Sequence, residues 1–350
     1  MLSYHKRLKR VKYMSWNSKT AINDLLALPS DTVKVVAFSG GKDSTALLGL
    51  MLAANQQGLK NWRVINSDTL MEIPFLEEHI KSCGSILRKR GIQFDQVVAP
   101  ISNRFFFTLI GKGVPSPTRS FRWCTQALKI KPQTRKLKEL GDYILLTGER
   151  LGESKNRDKK LKGCDGSNEC GIPELKSTAI SDKIERPLLN ARTCDVWDTI
   201  ALFDIEKLLP GSFENLTKIY SINDEDHSQS LRTGCIGCPL VKKDKSLEKL
   251  IAVYGGYQPL AELRSLYDLT RIDENRIMRP DLKGKGAVKL EVRKTLWANI
   301  LDIESRVQQT FPNFTLVQQD EKDAIEKALS EGQYPKGYTR QHIKQQESLV

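Results

Sequence analysis

Apolar positions in the first 150 residues come in short runs separated by polar turns. Val33–Phe38 is an almost continuous β-branched run, the pattern of a strand buried on both faces of a parallel sheet. Thr45–Asn55, rich in Leu and Ala, predicts a helix, and Trp62–Asn66 a second strand that leads to Asp68. Phe75–Arg90 reads as a helix, Phe94–Val98 as a third strand, and Tyr143–Thr147 as a fourth before the turn Gly148-Glu149-Arg150. Strands alternating with helices predict an α/β fold on a doubly wound parallel sheet. Ligands of such sheets bind beyond the carboxyl ends of the strands. Ser39–Ser44, Asp68 and Gly148–Arg150 all fall at that edge.

The pattern changes after residue 150. Residues 151–190 are polar with few strand signals and read as a loop over the site. Asp195–Leu209 predicts a helix with Thr193 as N-cap and Pro210-Gly211 as its stop. From about residue 240 the chain reads as mainly helical, with Ala287–Val307 its most periodic stretch. Three regions are expected: a basic, partly helical lead-in over 1–24, an α/β domain over 25–210, and a helical C-terminal region over 211–350.

The turn after the first strand, Phe38-Ser39-Gly40-Gly41-Lys42-Asp43-Ser44, carries the clearest chemistry. Two glycines let backbone N–H groups converge in one concave nest, and the following helix adds the positive end of its dipole. Ser39 and Ser44 supply hydroxyls and Lys42 a cation, while Asp43 would hold Mg²⁺ or fix the turn. Neither a Walker A loop nor a GxGxxG fingerprint is present. Asp68 is placed to reach a ribose or adenine group.

Charge extends this picture. The formal net charge of +13 favours polyanionic partners, because counterion release drives their association. Basic clusters flank the motifs at Lys129–Lys138 and Arg157–Lys162. The longest apolar stretch, around Ala46–Ala54, is too short to span a bilayer, and the basic N-terminus lacks the apolar region of a signal peptide. No membrane partner and a cytoplasmic location are expected.

Seven cysteines, at 83, 124, 164, 170, 194, 235 and 238, make an odd count that argues against a disulfide framework. Cys124 stands in Phe121-Arg122-Trp123-Cys124-Thr125, and Arg122, Lys129 and Lys131 surround it with charge that would lower a thiol pKa. Prolines 115 and 117 predict an extended approach to this block. Cys235-x-x-Cys238 has the spacing that lets two thiolates share one metal. Its partners come from Cys124, Cys164, Cys170 and Cys194. The set chosen is Cys170, Cys194, Cys235 and Cys238, with Cys164 in reserve. Cys194 opens a helix, where a thiolate would meet the positive dipole end. Cys83 reads as a core residue, and the four histidines show no ligand spacing.

The hexapeptide Ser39–Ser44 resembles the PP-loop of the ATP-pyrophosphatase and PAPS-reductase superfamily. Together with Asn66–Pro74, Phe121–Thr125, Gly148–Arg157 and Gly234–Ser246, it resembles the ATP-pyrophosphatase component of bacterial DNA phosphorothioation systems, the DndC and SspD type. The resemblance implies ATP, Mg²⁺ and a [4Fe–4S] cluster, with zinc as the alternative metal. It implies adenylation of a DNA backbone phosphate, sulfur supplied by a cysteine desulfurase, and other DNA-modification subunits as partners. In these roles Phe38, Ser39, Gly40, Gly41, Lys42, Asp43, Ser44, Asp68, Lys129, Gly148 and Arg150 bind nucleotide, and Lys42, Asp43, Arg122, Cys124 and Arg157 act in catalysis. Longer members carry two cluster cysteines shortly before the CxxC, and this chain has none between 195 and 234. A sulfonucleotide reductase of the PAPS or APS type and a tRNA thiolation enzyme are the competing readings. The reductases usually close with a catalytic cysteine, and no cysteine follows Cys238 here.

Overall fold

A computed structural model describes residues 16–151, 184–220, 234–241, 243–339 and 343. The chain divides into two compact units that interleave along the sequence. The first draws on Met1–Asn66, Phe75–Asp95 and Leu137–Ser230, and the second on Ser67–Pro74, Gln96–Lys136 and Leu231–Val350. The expected boundaries were contiguous; in the structure the chain passes from the first unit to the second within two strands.

A five-stranded parallel sheet flanked by helices confirms the α/β expectation. In chain order its strands are β1 (Val33–Ala37), β2 (Trp62–Asp68), β3 (Gln93–Val98), β4 (Tyr143–Leu146) and β5 (Ile184–Glu185). They lie side by side as β3-β2-β1-β4-β5. β1 pairs in parallel with β2 through Lys34–Ala37 and with β4 through Val33–Val36. The strand order therefore reverses at β1, and such sheets bind ligands beyond the carboxyl ends of the strands at that switch point, here β1 and β4. β5 falls within the stretch expected to be loop.

Helix α2 (Lys42–Gln56) follows β1 and is apolar on every side, with Ala46 through Leu52 almost without solvent contact. A helix apolar all round belongs in a core. Helix α1 (Ser18–Leu26) packs on it and is capped by the Asn17 side chain, which accepts the Thr20 N–H. Helix α3 (Pro74–Lys89) presents a single apolar face with Leu76, Ile80, Cys83 and Leu87. That face also carries His79, fully buried, whose Nε2 is 3.0 Å from Thr45 Oγ1 on α2. Cys83 is a core thiol, as expected, and burial pushes it up to about 12. After helix α4 (Lys131–Lys138) and β4, helix α5 (Thr193–Ile205) packs on α2. Arg192 rather than Thr193 is its N-cap, because the Asp195 carboxylate accepts both the Arg192 N–H and its guanidinium. Helix α6 (Ser212–Tyr220) follows.

The second unit is mainly helical, as expected, with α7 (Lys245–Val253), α8 (Leu263–Leu269), α9 (Leu290–Gln308) and α10 (Gln319–Ser330). The periodic stretch begins later than its pattern suggested. Ala287 and Val288 belong to strand β7 (Lys285–Val288), which pairs antiparallel with β6 (Arg276–Met278). Two π-helical segments, Phe107–Gly111 and Thr125–Ile130, interrupt the regular helices. Buried charges hold the first at both ends. Glu321 accepts the Phe107 N–H at 2.9 Å, and Arg293 donates to the carbonyls of Ile110 and Gly111. Among the described residues, no helix is long and apolar enough to cross a membrane.

Burial lowers the His79 pKa from 6.5 to about 4, so the folded first unit keeps this imidazole neutral. An unfolded chain protonates it below pH 6.5, so stability is fully present above that value and falls as pH drops towards 4. Between pH 7 and pH 5 the wild type should lose on the order of 2 kcal/mol more than His79→Gln, which cannot titrate. Denaturant unfolding at the two pH values measures it, and parallel losses in both proteins would refute it.

Candidate functional site

The turn between β1 and α2 is built as the sequence required. Gly40 has φ +75°, and a Cβ there would stand 2.5 Å from Ile80 on α3. Side chains of L residues disfavour this region, and here there is also no room for one. Gly41 is the N-cap of α2 and has no side chain to cap its amides. The Lys42 N–H donates to the Tyr220 hydroxyl at 3.2 Å, a contact that spans most of the first unit's sequence. Ser44 braces the loop from within. Its hydroxyl donates to the Gly41 carbonyl at 2.9 Å, accepts the Ser39 N–H, and lies 3.1 Å from the Ser39 hydroxyl. Phe38 is a core residue, with its ring edge-on to Phe94 at 6.3 Å; its carbonyl accepts the Asn66 amide at 2.9 Å.

Asp43 organises the charge. Its Oδ2 accepts Lys42 Nζ at 2.7 Å and its Oδ1 accepts Arg150 Nε at 2.6 Å. The two cations are 6% and 4% exposed and the carboxylate 16%, so the triad is largely withdrawn from water. Lys42 Nζ also lies 5.4 Å from the centre of the Tyr220 ring, a cation–π distance. Arg150 reaches Asp43 because the turn after β4 presses on the first loop. A Cβ at Gly148 would come within 2.9 Å of the Asp43 carbonyl group. Glu149 accepts Arg186 Nε at 2.9 Å and Thr147 Oγ1 at 3.4 Å, which anchors that turn. One net positive charge and the amino end of a helix whose N-cap residue is a glycine therefore meet at the reversal of strand order, an arrangement that receives anions.

The second unit holds Asp68, Arg122, Cys124, Lys129, Cys235 and Cys238. Asp68 accepts the Leu70 N–H at 2.9 Å and Gln96 Nε2 at 3.2 Å, so its carboxylate shapes a turn in which Leu70 has φ +58°. Within that turn Thr69 donates to Glu72 at 2.7 Å. The Cys235–Cys238 turn docks on it: Ile236 N–H donates to the Met71 carbonyl at 2.7 Å, and Cys235 Sγ is 3.9 Å from Thr69 Oγ1. Burial pushes the Cys235 thiol up to about 12, opposed by the Lys129 charge, and raises Glu72 as well. Cys124 precedes the second π-helical segment. Burial raises its thiol, Cys238 adds to the rise, and Lys129 opposes it least. The sequence predicted the reverse, since neighbouring cations are visible there and burial is not.

Arg122 and Lys129 are exposed. Cys194 is exposed in the first unit, with Sγ 3.8 Å from Asp195 Oδ1, while Cys235 and Cys238 belong to the second. Arg157 and Cys170, with the reserve Cys164, lie outside the described residues. Among the described residues, no group of three or more Cys, His, Asp or Glu is arranged to hold a metal. Glu72, Asn66 and Tyr220 were not singled out from sequence. Glu72 lies inside the Asn66–Pro74 motif, whereas nothing in sequence ties Tyr220 to the loop.

Residues 34–207 match the family model of the phosphoadenosine phosphosulfate reductase domain. Two uncharacterized proteins of Methanocaldococcus jannaschii are similar to the chain. One is 28% identical over 207 residues, covering 58% of this chain and 40% of that protein. The other is 32% identical over 130 residues, covering 37% of this chain and 25% of that protein. The chain thus spans less than half the length of either relative. The crystal structure of phosphoadenylyl-sulfate reductase from Candida auris, a phosphate complex, aligns with 60% of this chain and 89% of its own at 14% identity and a TM-score of 0.35. The segment from residue 34 to residue 207, which carries the Asp43 triad and both loops, is thus similar to the phosphoadenosine phosphosulfate reductase domain.

Proposed function

We propose that the chain is an ATP pyrophosphatase that adenylates a DNA backbone phosphate for sulfur insertion. The observation that carries this reading is the Asp43 carboxylate holding Lys42 and Arg150 at the amino end of α2. The β- and γ-phosphates of ATP, entering with Mg²⁺, would take the loop amides and the two cations. Both Asp43 oxygens are committed to these cations, so Asp43 suits the fixing of the turn. A phosphate oxygen of the DNA attacks the α-phosphorus, and pyrophosphate leaves. A cysteine desulfurase provides a persulfide whose terminal sulfur attacks the activated DNA phosphorus, and AMP leaves with the oxygen. A second thiol then attacks the remaining S–S bond, freeing the phosphorothioate and leaving a disulfide. Catalysis in this scheme is positioning and charge neutralisation.

The net charge of +13 supports a polyanionic substrate. The Cys235–Cys238 turn supplies two soft sulfur donors on one loop, which suits a thiolate-ligated iron–sulfur centre or zinc. Cys170 and Cys194 complete the set read from sequence, and Cys124, in the field of Cys238, is a further sulfur in the same unit. An iron–sulfur centre there would supply electron or sulfur transfer. The family match favours one second reading, a sulfonucleotide reductase, in which the same loops hold a phosphosulfate.

Incubated with ATP and Mg²⁺, the purified chain should release pyrophosphate and AMP, and Asp43→Ala should lower that release at least tenfold. Sulfite from phosphoadenosine phosphosulfate and a thiol, with no pyrophosphate from ATP, would decide for the reductase. In Gly148→Ala the new methyl meets the Asp43 backbone, so ATP affinity should fall at least tenfold. Titration calorimetry measures this, and an unchanged affinity would separate the second loop from the site. Protein prepared without oxygen should contain iron and absorb in the visible range, and Cys235→Ser should lose both. A colourless, iron-free wild type would defeat the cluster.

A further inference from the structure

The second unit contains a cavity of about 650 Å³ that no step above uses. Its size is that of a small-molecule site, and its lining has a consistent chemistry. Lys112, Lys131 and Lys336 supply three cations, and no acid lines the cavity. Trp123 and Tyr334 supply two aromatic rings. Asn103, Gln126 and Gln333 supply amides that both donate and accept.

Three of these side chains are held by their own neighbours. Trp123 is half-buried, stacks on Phe105 at 5.4 Å and donates its Nε1 to the Pro115 carbonyl at 3.0 Å. Tyr334 accepts the Leu290 N–H at 3.0 Å and lies under the Arg293 guanidinium at 4.5 Å. Lys112 is fixed by the Ser102 carbonyl and sits 5.7 Å from the Phe107 ring centre. Thr108, nine-tenths buried in the wall, has a hydroxyl with no partner among the described residues. Cations for phosphate, rings for stacking and amides for a base edge are the components of a site for an unpaired nucleotide.

We infer that this cavity receives one unpaired nucleotide of a DNA strand, its base against Trp123 or Tyr334 and its flanking phosphates on Lys112, Lys131 and Lys336. The choice of a DNA strand over a free nucleotide rests on the function proposed above; the nucleotide chemistry rests on the lining alone. One wall is the helical stretch that carries Trp123, Gln126, Ala127 and Lys131, and Cys124 is the next residue along it after Trp123. Nucleotides on aromatic platforms bind with little sequence preference and strong salt dependence.

The test uses the full chain, without ATP, and fluorescein-labelled oligonucleotides carrying 5-iododeoxyuridine. Binding is read by polarisation at fixed salt and contact by photo-crosslinking with peptide mapping. The single strand should bind at least fivefold tighter than the matched duplex and crosslink at Trp123 or Tyr334. Lys131→Glu with Lys336→Glu should weaken strand binding at least tenfold, whereas Lys294→Glu with Lys327→Glu, the same charge change elsewhere in the unit, should weaken it less than twofold. Trp123→Ala should cost at least fivefold. Because its ring packs on Phe105, the exposed lysine pair and the wild-type crosslink decide the matter if that variant misfolds. Equal losses in the two lysine pairs, crosslinks confined to other residues, tighter binding of the matching RNA, or displacement by AMP at the strand's own affinity would each overturn the assignment. Strand binding needs no nucleotide hydrolysis, so its failure is distinguishable from a failure to release pyrophosphate.

Discussion

The carboxylate of Asp43 sets the terms for the first unit. It draws Lys42 and Arg150 out of water, an expensive step for two cations unless a counter-charge meets them at hydrogen-bond distance. One carboxylate for two cations leaves the cluster positive, and the amino end of α2 adds the partial charge of its amides. Further anionic charge is what this geometry still lacks. The rest of the unit keeps it that way: Gly148 admits the second loop, Tyr220 takes the Lys42 amide, and the Asn66 amide fixes the last carbonyl before the loop. The buried bond between Thr45 and His79 ties α2 to α3 behind it.

Much of this frame was legible in the chain. A β-branched run, two glycines and a Leu- and Ala-rich helix are local signals, and Val33–Gln56 follows them almost residue by residue. The turn at Gly148-Glu149-Arg150 was legible as a location, but the closeness of Gly148 to Asp43 depends on two strands lying side by side. Tyr220 shows the limit more sharply, since its hydroxyl meets a backbone amide 178 residues away and no periodicity encodes that. The β7 strand was missed because Ala287 and Val288 also suit a helix, and only the pairing with β6 decides between them.

The thiols fail for a different reason. Sequence exposes the sign of neighbouring charges but not the water around them, and for Cys124 and Cys235 the water decides. Desolvation favours the neutral thiol, and hydrogen bonds from Thr125 to Cys124 and from Thr69 to Cys235, with the charge of Lys129, oppose it only in part. A thiolate at either position therefore depends on a cationic or metal partner. The interleaving of the units adds a second obstacle. Ser67–Pro74 and Gln96–Lys136 lie inside the matched segment 34–207 yet belong to the second unit, beside a C-terminal portion outside the match. Asp68, Glu72 and Cys124 thus lie within the matched segment, whereas Cys235, Cys238 and Tyr334 come from the part that the family model does not describe.

Within the second unit, one column of rings joins features that sequence keeps far apart. Trp123 stacks on Phe105 at 5.4 Å, and Phe105 meets Tyr267 edge-on at 5.3 Å. Tyr267 is fully buried, and a side chain at Gly237, inside the Cys235–Cys238 turn, would come within 3.5 Å of its ring. Aromatic contacts of this kind pack with a fixed geometry. The Tyr267 hydroxyl has no partner among the described residues, and burial beside Cys235 and Cys238 raises its pKa well above the usual phenol value. The ring therefore meets the turn as a neutral, rigid surface. A ligand stacked on Trp123 would press on a column whose far end supports the two thiols, so the wall of the cavity and the cysteine turn share one set of side chains.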